Sequence, residues 1–167
     1  MVDPAIVSLL LADDGTFPNN RRPLLLYPGA VPAEPSALES LFERNGWPPA
    51  WRNGVYAYHH YHSTAHEALG VYSGSATILF GGPQGLRRRV QAGDVAVIPA
   101  GVAHCCLESN ADFRLVGAYP RGQRPDMCYG RPGERPEADR RIAGLGDPEQ
   151  DPVQGAGGAL GRLWKGV

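Results

Sequence analysis

The chain has 167 residues, with 16 Lys and Arg against 17 Asp and Glu and a formal net charge of -1. That length supports one domain with a real core and is short for two. The balanced charge excludes a nucleic-acid groove or an anionic membrane surface, both of which need a strong basic excess. At the N-terminus, the apolar stretch Ile6 to Ala12 is too short to span a bilayer, and it follows Asp3 where a secretory signal would carry basic residues. Residues 1–53 read as short extended pieces plus one helix. Ser8 to Ala12 and Leu24 to Tyr27 are the apolar runs, separated by Asp13-Asp14-Gly15 and Asn19-Asn20. Ser36 with Glu39 three residues on predicts a capping box, Leu38, Leu41 and Phe42 form one apolar stripe, and Asn45-Gly46 supplies the stop. This helix is expected to cover one end of a sheet.

Residues 54–119 form the core of the reading. Gly54 to His62, Glu67 to Tyr72, Ser75 to Phe80, Leu86 to Val90, Val95 to Ile98, Val102 to Leu107 and Phe113 to Tyr119 are short strand-like runs. Turn signals such as Ser73-Gly74, Gly81-Gly82-Pro83, Gly93-Asp94 and Pro99-Ala100-Gly101 fall between them. Short strands at this spacing predict an all-β antiparallel sandwich or barrel and disfavour βαβ units. Arg87-Arg88-Arg89 is the one local basic block. Because strand side chains alternate faces, it reads as a solvated edge, the alternative being an anchor for a ligand carboxylate.

Residues 120–167 are rich in Pro, Gly and Arg with acidic residues interleaved, which predicts a solvated, loop-rich extension. Leu160, Leu163 and Trp164 are candidates to pin its end onto the barrel. Three cysteines, Cys105, Cys106 and Cys128, with no CxxC pair, make neither a disulfide framework nor a zinc finger. A reducing cytoplasm is the expected compartment.

The chemistry concentrates in the histidines. Four of the five, His59, His60, His62 and His66, lie in one short stretch, and the fifth is His104. Neutral imidazole and carboxylate are the usual ligands of borderline divalent metals. Residues two apart in a strand share a face, so His60 and His62 point the same way, with Tyr56 and Tyr58, while His59 and Tyr61 point oppositely. A turn over Ser63 to His66 would reset the parity and bring Glu67 to the same face; an unbroken strand would bring His66 instead. Pro99 ends the Val95 to Ile98 strand, Gly101 carries the bend, and His104 opens the return strand with Cys106 and Glu108 on its face.

These segments resemble the cupin superfamily. Gly54, His60-Tyr61-His62, Glu67 and Gly74 fit the first cupin motif at every spacing. Gly93, Pro99-Ala100-Gly101 and His104 fit the second, with Glu108 where the motif usually has Asn. Further runs, including Trp51-Arg52-Asn53-Gly54 and Ala118-Tyr119-Pro120-Arg121-Gly122, resemble the small bacterial YjlB-type cupins. The resemblance implies a double-stranded β-helix, or jelly-roll barrel, with one short N-terminal helix and a loop-rich tail. It implies one divalent transition metal per chain held by His60, His62, Glu67 and His104, and a homodimer. The departure at Glu108 leaves that ligand set intact and puts the hydrogen bonding behind His104 in question.

Around the ligands, His66 is a candidate to orient Glu67. Tyr56 and Tyr58 are candidates for the barrel lining or for holding substrate, and Cys106 for the pocket border. On tetrahedral zinc, three imidazoles and a carboxylate close the sphere; on six-coordinate iron, manganese, nickel or cobalt they leave two positions for water, dioxygen or a chelating substrate. Binding should weaken as pH falls through about 6.5, where imidazole protonates. The expected function is a metal-dependent enzyme of dioxygenase or isomerase type on a small polar molecule, with no catalytic base identifiable. The alternative is a non-enzymatic cupin that binds a small molecule or uses the metal structurally.

Overall fold

The protein is described by a computed structural model covering residues 5–167. Among the described residues, nine strands and three helices run in the order β1 (Val7–Leu11), β2 (Asn20–Tyr27), α1 (Pro35–Arg44), β3 (Pro49–Asn53), β4 (Glu67–Ser73), β5 (Ser75–Phe80), β6 (Leu86–Gln91), β7 (Val95–Ile98), β8 (His104–Ser109), β9 (Arg114–Ala118), α2 (Glu137–Ala143) and α3 (Ala159–Trp164). Six strands form one sheet in the order β1-β2-β7-β4-β9-β3, and three form a second, β6-β5-β8. All neighbours pair antiparallel. This is the all-β jelly roll expected of a double-stranded β-helix.

Alternation along the strands builds two cores on opposite faces of the large sheet. Leu24 and Leu26 of β2, Leu69 and Val71 of β4, and Ala96 and Ile98 of β7 face the small sheet, where Ile78 and Phe80 meet them. Their neighbours Leu25, Tyr27, Ala68, Val95 and Val97 face outward and pack under α1 and α3, against Leu38, Phe42, Leu160 and Trp164. Covered on both faces, these strands read as nearly continuous apolar runs. Gly70 lets α1 come close, since a Cβ there would lie 2.9 Å from Leu38. So α1 covers the outer face of the large sheet, not one end of it.

The α1 cap also differs from the expected box. Glu34 is the N-cap, and its carboxylate accepts from the backbone N–H groups of Ser36 and Ala37 at 3.1 and 2.7 Å. Glu39 turns away to Arg52 of β3, at 3.1 Å from Nε. Pro35 takes the first helical position, where its missing N–H costs nothing, and this moves the cap upstream of Ser36.

The expected strand from Gly54 to His62 is not a strand. This segment changes partner every few residues: the Tyr56 carbonyl accepts from Cys106 N, His60 exchanges two bonds with His104, and Tyr61 exchanges two with Cys128. No ladder continues past one pair. The strand in this part of the chain lies earlier, as β3.

The extension is more ordered than its composition suggests. Its helices α2 and α3 are buried through Ala138 and through Ala159, Leu160 and Trp164. Trp164 Nε1 donates to the Pro23 carbonyl at 2.9 Å. Leu160 and Trp164 pin the tail, whereas Leu163 is exposed. Asp151 organises the turn before α3, accepting from Tyr27 Oη at 2.5 Å and from Leu160 N at 3.0 Å. The Arg87-Arg88-Arg89 run lies exposed on β6, an edge strand. No helix among the described residues is long and apolar enough to cross a membrane.

Candidate metal centre

His60 and His104 are joined by main chain before their side chains meet. His104 N donates to the His60 carbonyl at 2.9 Å, and His60 N donates back at 3.3 Å. Gly101, at φ +91, donates to the His62 carbonyl at 2.7 Å. The two ligand segments are thus tied at both imidazole-bearing residues of the first and at the bend of the second. The rings of His60 and His104 sit 4.1 Å apart between centroids, and each is 5.8 Å from His62. All three are buried, and one nitrogen from each lies within 4.8 Å of the others.

Each imidazole is oriented through its Nδ1. That of His60 donates to the Tyr58 carbonyl at 3.1 Å, that of His104 to Val102 at 3.1 Å, and that of His62 to Asp126 at 2.6 Å. A carbonyl can only accept, so each Nδ1 carries its proton and each Nε2 is left to face the others. Val102 thereby supplies the support behind His104; Glu108 is exposed and accepts from Thr77 Oγ1 at 3.4 Å.

Glu67 opens β4 on the inward face, in register with Ile98. Its Oε1 lies 3.1 Å from His104 Nε2 and its Oε2 lies 3.4 Å from His62 Nε2. Oε1 is buried without an aligned hydrogen-bond donor. The three imidazole nitrogens could hold a divalent transition metal, and the unsatisfied buried carboxylate oxygen of Glu67 lies beside them as a further donor. Electrostatics agree. Burial pushes His60 down to about 3, with His104 adding to the shift, so it is neutral near pH 7. Burial opposes a charge on His62 as well, but Glu67 outweighs it and raises His62. Burial alone would raise Glu67; His62 and His104 reverse this and hold it ionised.

The remaining candidates lie elsewhere. His66 faces the outer side of the large sheet, where its Nδ1 accepts from Ala100 N at 2.9 Å and its ring meets Trp164 at 4.9 Å. It stands outside the ligand cluster. Tyr56 lines the cavity at its rim beside His60 and Tyr58 stacks on it at 4.9 Å; the two are 53% and 45% exposed. Cys106 packs against the inner core and its Sγ is directed to the Glu108 carbonyl. His59 turns away, 5.6 Å from the ring of Phe17.

The imidazoles and Glu67 open into a cavity of about 380 Å³ walled by Trp51, Val55, Tyr56, Leu69, Tyr119 and Met127. Trp51 Nε1 donates to the Tyr119 hydroxyl at 3.0 Å. Burial, followed by the charge of Glu67, raises the Tyr119 phenol and keeps it protonated. Trp51, Tyr119, Asp126 and Met127 were not among the expected site residues. Tyr119 ends one expected strand and Trp51 belongs to β3, but the sequence carries no signal for Asp126, whose contribution is a main-chain carbonyl.

The model of the family described as Cupin matches residues 52–118, which contain both ligand segments. Over 153 residues, 91% of this chain and 92% of the relative, the sequence is 41% identical to the uncharacterized protein YjlB of Bacillus subtilis (strain 168). The chain belongs to the cupin family. Solved structures similar to parts of this cupin include a DUF861 family protein from Thermotoga maritima, at 23% identity over 50% of this chain and 88% of that one, TM-score 0.34. A mutant of the Bacillus subtilis oxalate decarboxylase OxdC shares 21% identity over 64% of this cupin and 23% of that chain, TM-score 0.35. Streptomyces albus HEPD, with 2-hydroxyethylphosphonate and Fe(II) bound, shares 12% over 78% of this cupin and 23% of that chain, TM-score 0.32.

Proposed function

We propose that this cupin holds one divalent transition metal (iron, manganese, nickel, cobalt or zinc) through His60, His62, His104 and Glu67, and acts as a metal-dependent enzyme on a small molecule. The observation that carries this reading is the convergence of three correctly oriented Nε2 atoms and one buried carboxylate on a single cavity. A structural ion would need no such opening; the cavity leaves room for a ligand beside the donors. When bound, the metal would supply Lewis-acid polarisation or oxygen activation, so dioxygenase and isomerase chemistry are the two reaction types in view.

The chain's own residues divide the remaining work. The Tyr58, Val102 and Asp126 carbonyls hold the imidazoles in one tautomer. Glu67 neutralises charge at the centre. Tyr119, its oxygen occupied by Trp51, keeps a hydroxyl proton for an acceptor in the cavity. The reading treats the chain as one domain, supported by the pairing of Tyr61 with Cys128 and of His62 with Asp126.

Metal analysis of the native protein beside His62→Ala tests the binding. Stoichiometric metal in the native protein and little in the variant is the expected result; equal metal in both rejects it. Oxygen uptake by the iron(II)-loaded protein, prepared anaerobically and screened against small acids and phenols, tests the enzyme reading. A zinc centre with no exchangeable water, and no turnover, would favour the non-enzymatic alternative.

A further inference from the structure

Resting on that metal reading, we propose that the cavity selects a chelating ligand that is uncharged or singly anionic and carries an apolar arm. Among the described residues, the acidic residues lining the cavity are Glu67 and Asp126, and no lining residue is Lys or Arg. The guanidinium of Arg141, beside the lining residue Asp126, is committed outside the cavity: its Nε donates to Ser63 Oγ at 2.7 Å and lies 3.6 Å from the Asp126 carboxylate. The exposed arginines of β6 do not reach the cavity. A dianion such as a dicarboxylate would bring two negative charges beside the buried Glu67 carboxylate, with the metal as its one positive partner. Recognition of dianions normally recruits a bidentate Arg, and this wall has none.

What the wall does offer is aromatic and aliphatic. Trp51, Val55, Leu69 and Met127 share the wall with the imidazoles, and the exposed Tyr56 stands at the rim. Tyr119 stands between the two zones. Its oxygen accepts from Trp51, and its hydroxyl proton faces the Glu67 carboxylate, where a ligand oxygen seated beside Glu67 can share it. The arrangement therefore reads as a chelating end at the imidazoles, one donor at Tyr119, and an apolar arm along Trp51 and Met127. The cavity volume of about 380 Å³ accommodates a single-ring molecule.

The test uses the cobalt(II)-loaded protein and three bidentate chelators, benzohydroxamate, acetohydroxamate and oxalate, with binding read from the cobalt visible spectrum. Benzohydroxamate should bind about tenfold or more tightly than acetohydroxamate, through burial of its ring, and oxalate should bind most weakly. Met127→Lys, at an exposed rim position, should raise oxalate affinity by about tenfold while leaving cobalt content unchanged. Oxalate binding as tightly as benzohydroxamate, equal affinity for the two hydroxamates, or an oxalate affinity unmoved by Met127→Lys would each overturn the proposal. A protein that takes up no cobalt shows no band before any chelator is added. That failure belongs to the metal reading and is distinguishable from a wrong ligand order on a loaded site.

Discussion

The backbone carbonyl of Asp126 accepts the Nδ1 proton of His62 at 2.6 Å, so a residue of the C-terminal extension holds an imidazole of the candidate metal centre. The Asp126 carboxylate fixes its own loop in turn, accepting from Ser63 N at 2.6 Å and from Ser63 Oγ. Asp126→Ala should free this loop and let the His62 ring turn. Metal affinity is then expected to fall about 10- to 100-fold, as for loss of an outer partner of a ligand histidine. Competition against a colorimetric chelator measures it. Unchanged affinity would mean that the loop keeps its carbonyl in place without the carboxylate.

Metal affinity should fall with decreasing pH, and His62 is the group responsible. Its pKa is raised above the ordinary 6.5 by Glu67, so a proton must leave it when metal enters. His60, pushed down to about 3, stays neutral over the same range and contributes little. Below the raised His62 value, affinity should drop about tenfold or more per pH unit, at least one proton being released per metal bound. In the metal-free protein the signs are opposed. The stabilisation from a raised His62 is full below 6.5 and fades as pH rises through its folded value, whereas that from a lowered Glu67 is present above 4.5 and is lost on acidification. Protection by metal, measured as the difference in Tm with and without it, should therefore grow as pH rises. Protection that is flat from about pH 5 to about pH 8 would contradict this.

Gly101 is required by geometry. At φ +91 it occupies backbone space that L side chains avoid, and a Cβ there would lie 2.4 Å from the Asn19 carbonyl oxygen. Gly101→Ala should cost about 1–3 kcal/mol in stability. Because Gly101 N also bonds to the His62 carbonyl, the same variant should weaken metal binding. Denaturant titration of the metal-free protein separates the two effects; full stability together with native metal affinity would count against the assignment.

Tyr119→Phe removes the acceptor of Trp51 Nε1. Since Trp51 is only half-buried, water can replace part of the bond, and a loss of about 1 kcal/mol is expected. Metal content should not change, because Tyr119 is not among the proposed ligands. A variant that lost its metal would place the phenol in the coordination sphere.

The parts of the centre that follow from local periodicity could be read from the chain. His60 and His62 share a face because side chains two apart do so even where no ladder forms, and Pro99 and Gly101 fix the bend before His104 by their own backbone limits. Glu67 needed the turn over Ser63 to His66, which local pattern left open and which the cupin spacing resolved toward the geometry seen. What could not be read depends on partners far along the chain. Whether 54–62 pairs as a strand is decided by β8 and by Cys128, which divide it between them. The cap of α1 is ambiguous in the sequence because Ser36 is as plausible a cap as Glu34 until Pro35 is placed in the first turn. Helices α2 and α3 have 7 and 6 residues, too few turns for an apolar stripe to register. The support from Asp126 uses a carbonyl, which every residue possesses and no composition reveals.

The reciprocal main-chain bonds between His60 and His104 have a further consequence. They settle the distance between two ligand-bearing backbones while the protein folds, so the cage is rigid before any ion arrives. Exchanging one transition ion for another should then alter reactivity and colour far more than shape, and crystals of the empty and the variously loaded forms should superimpose at these two residues.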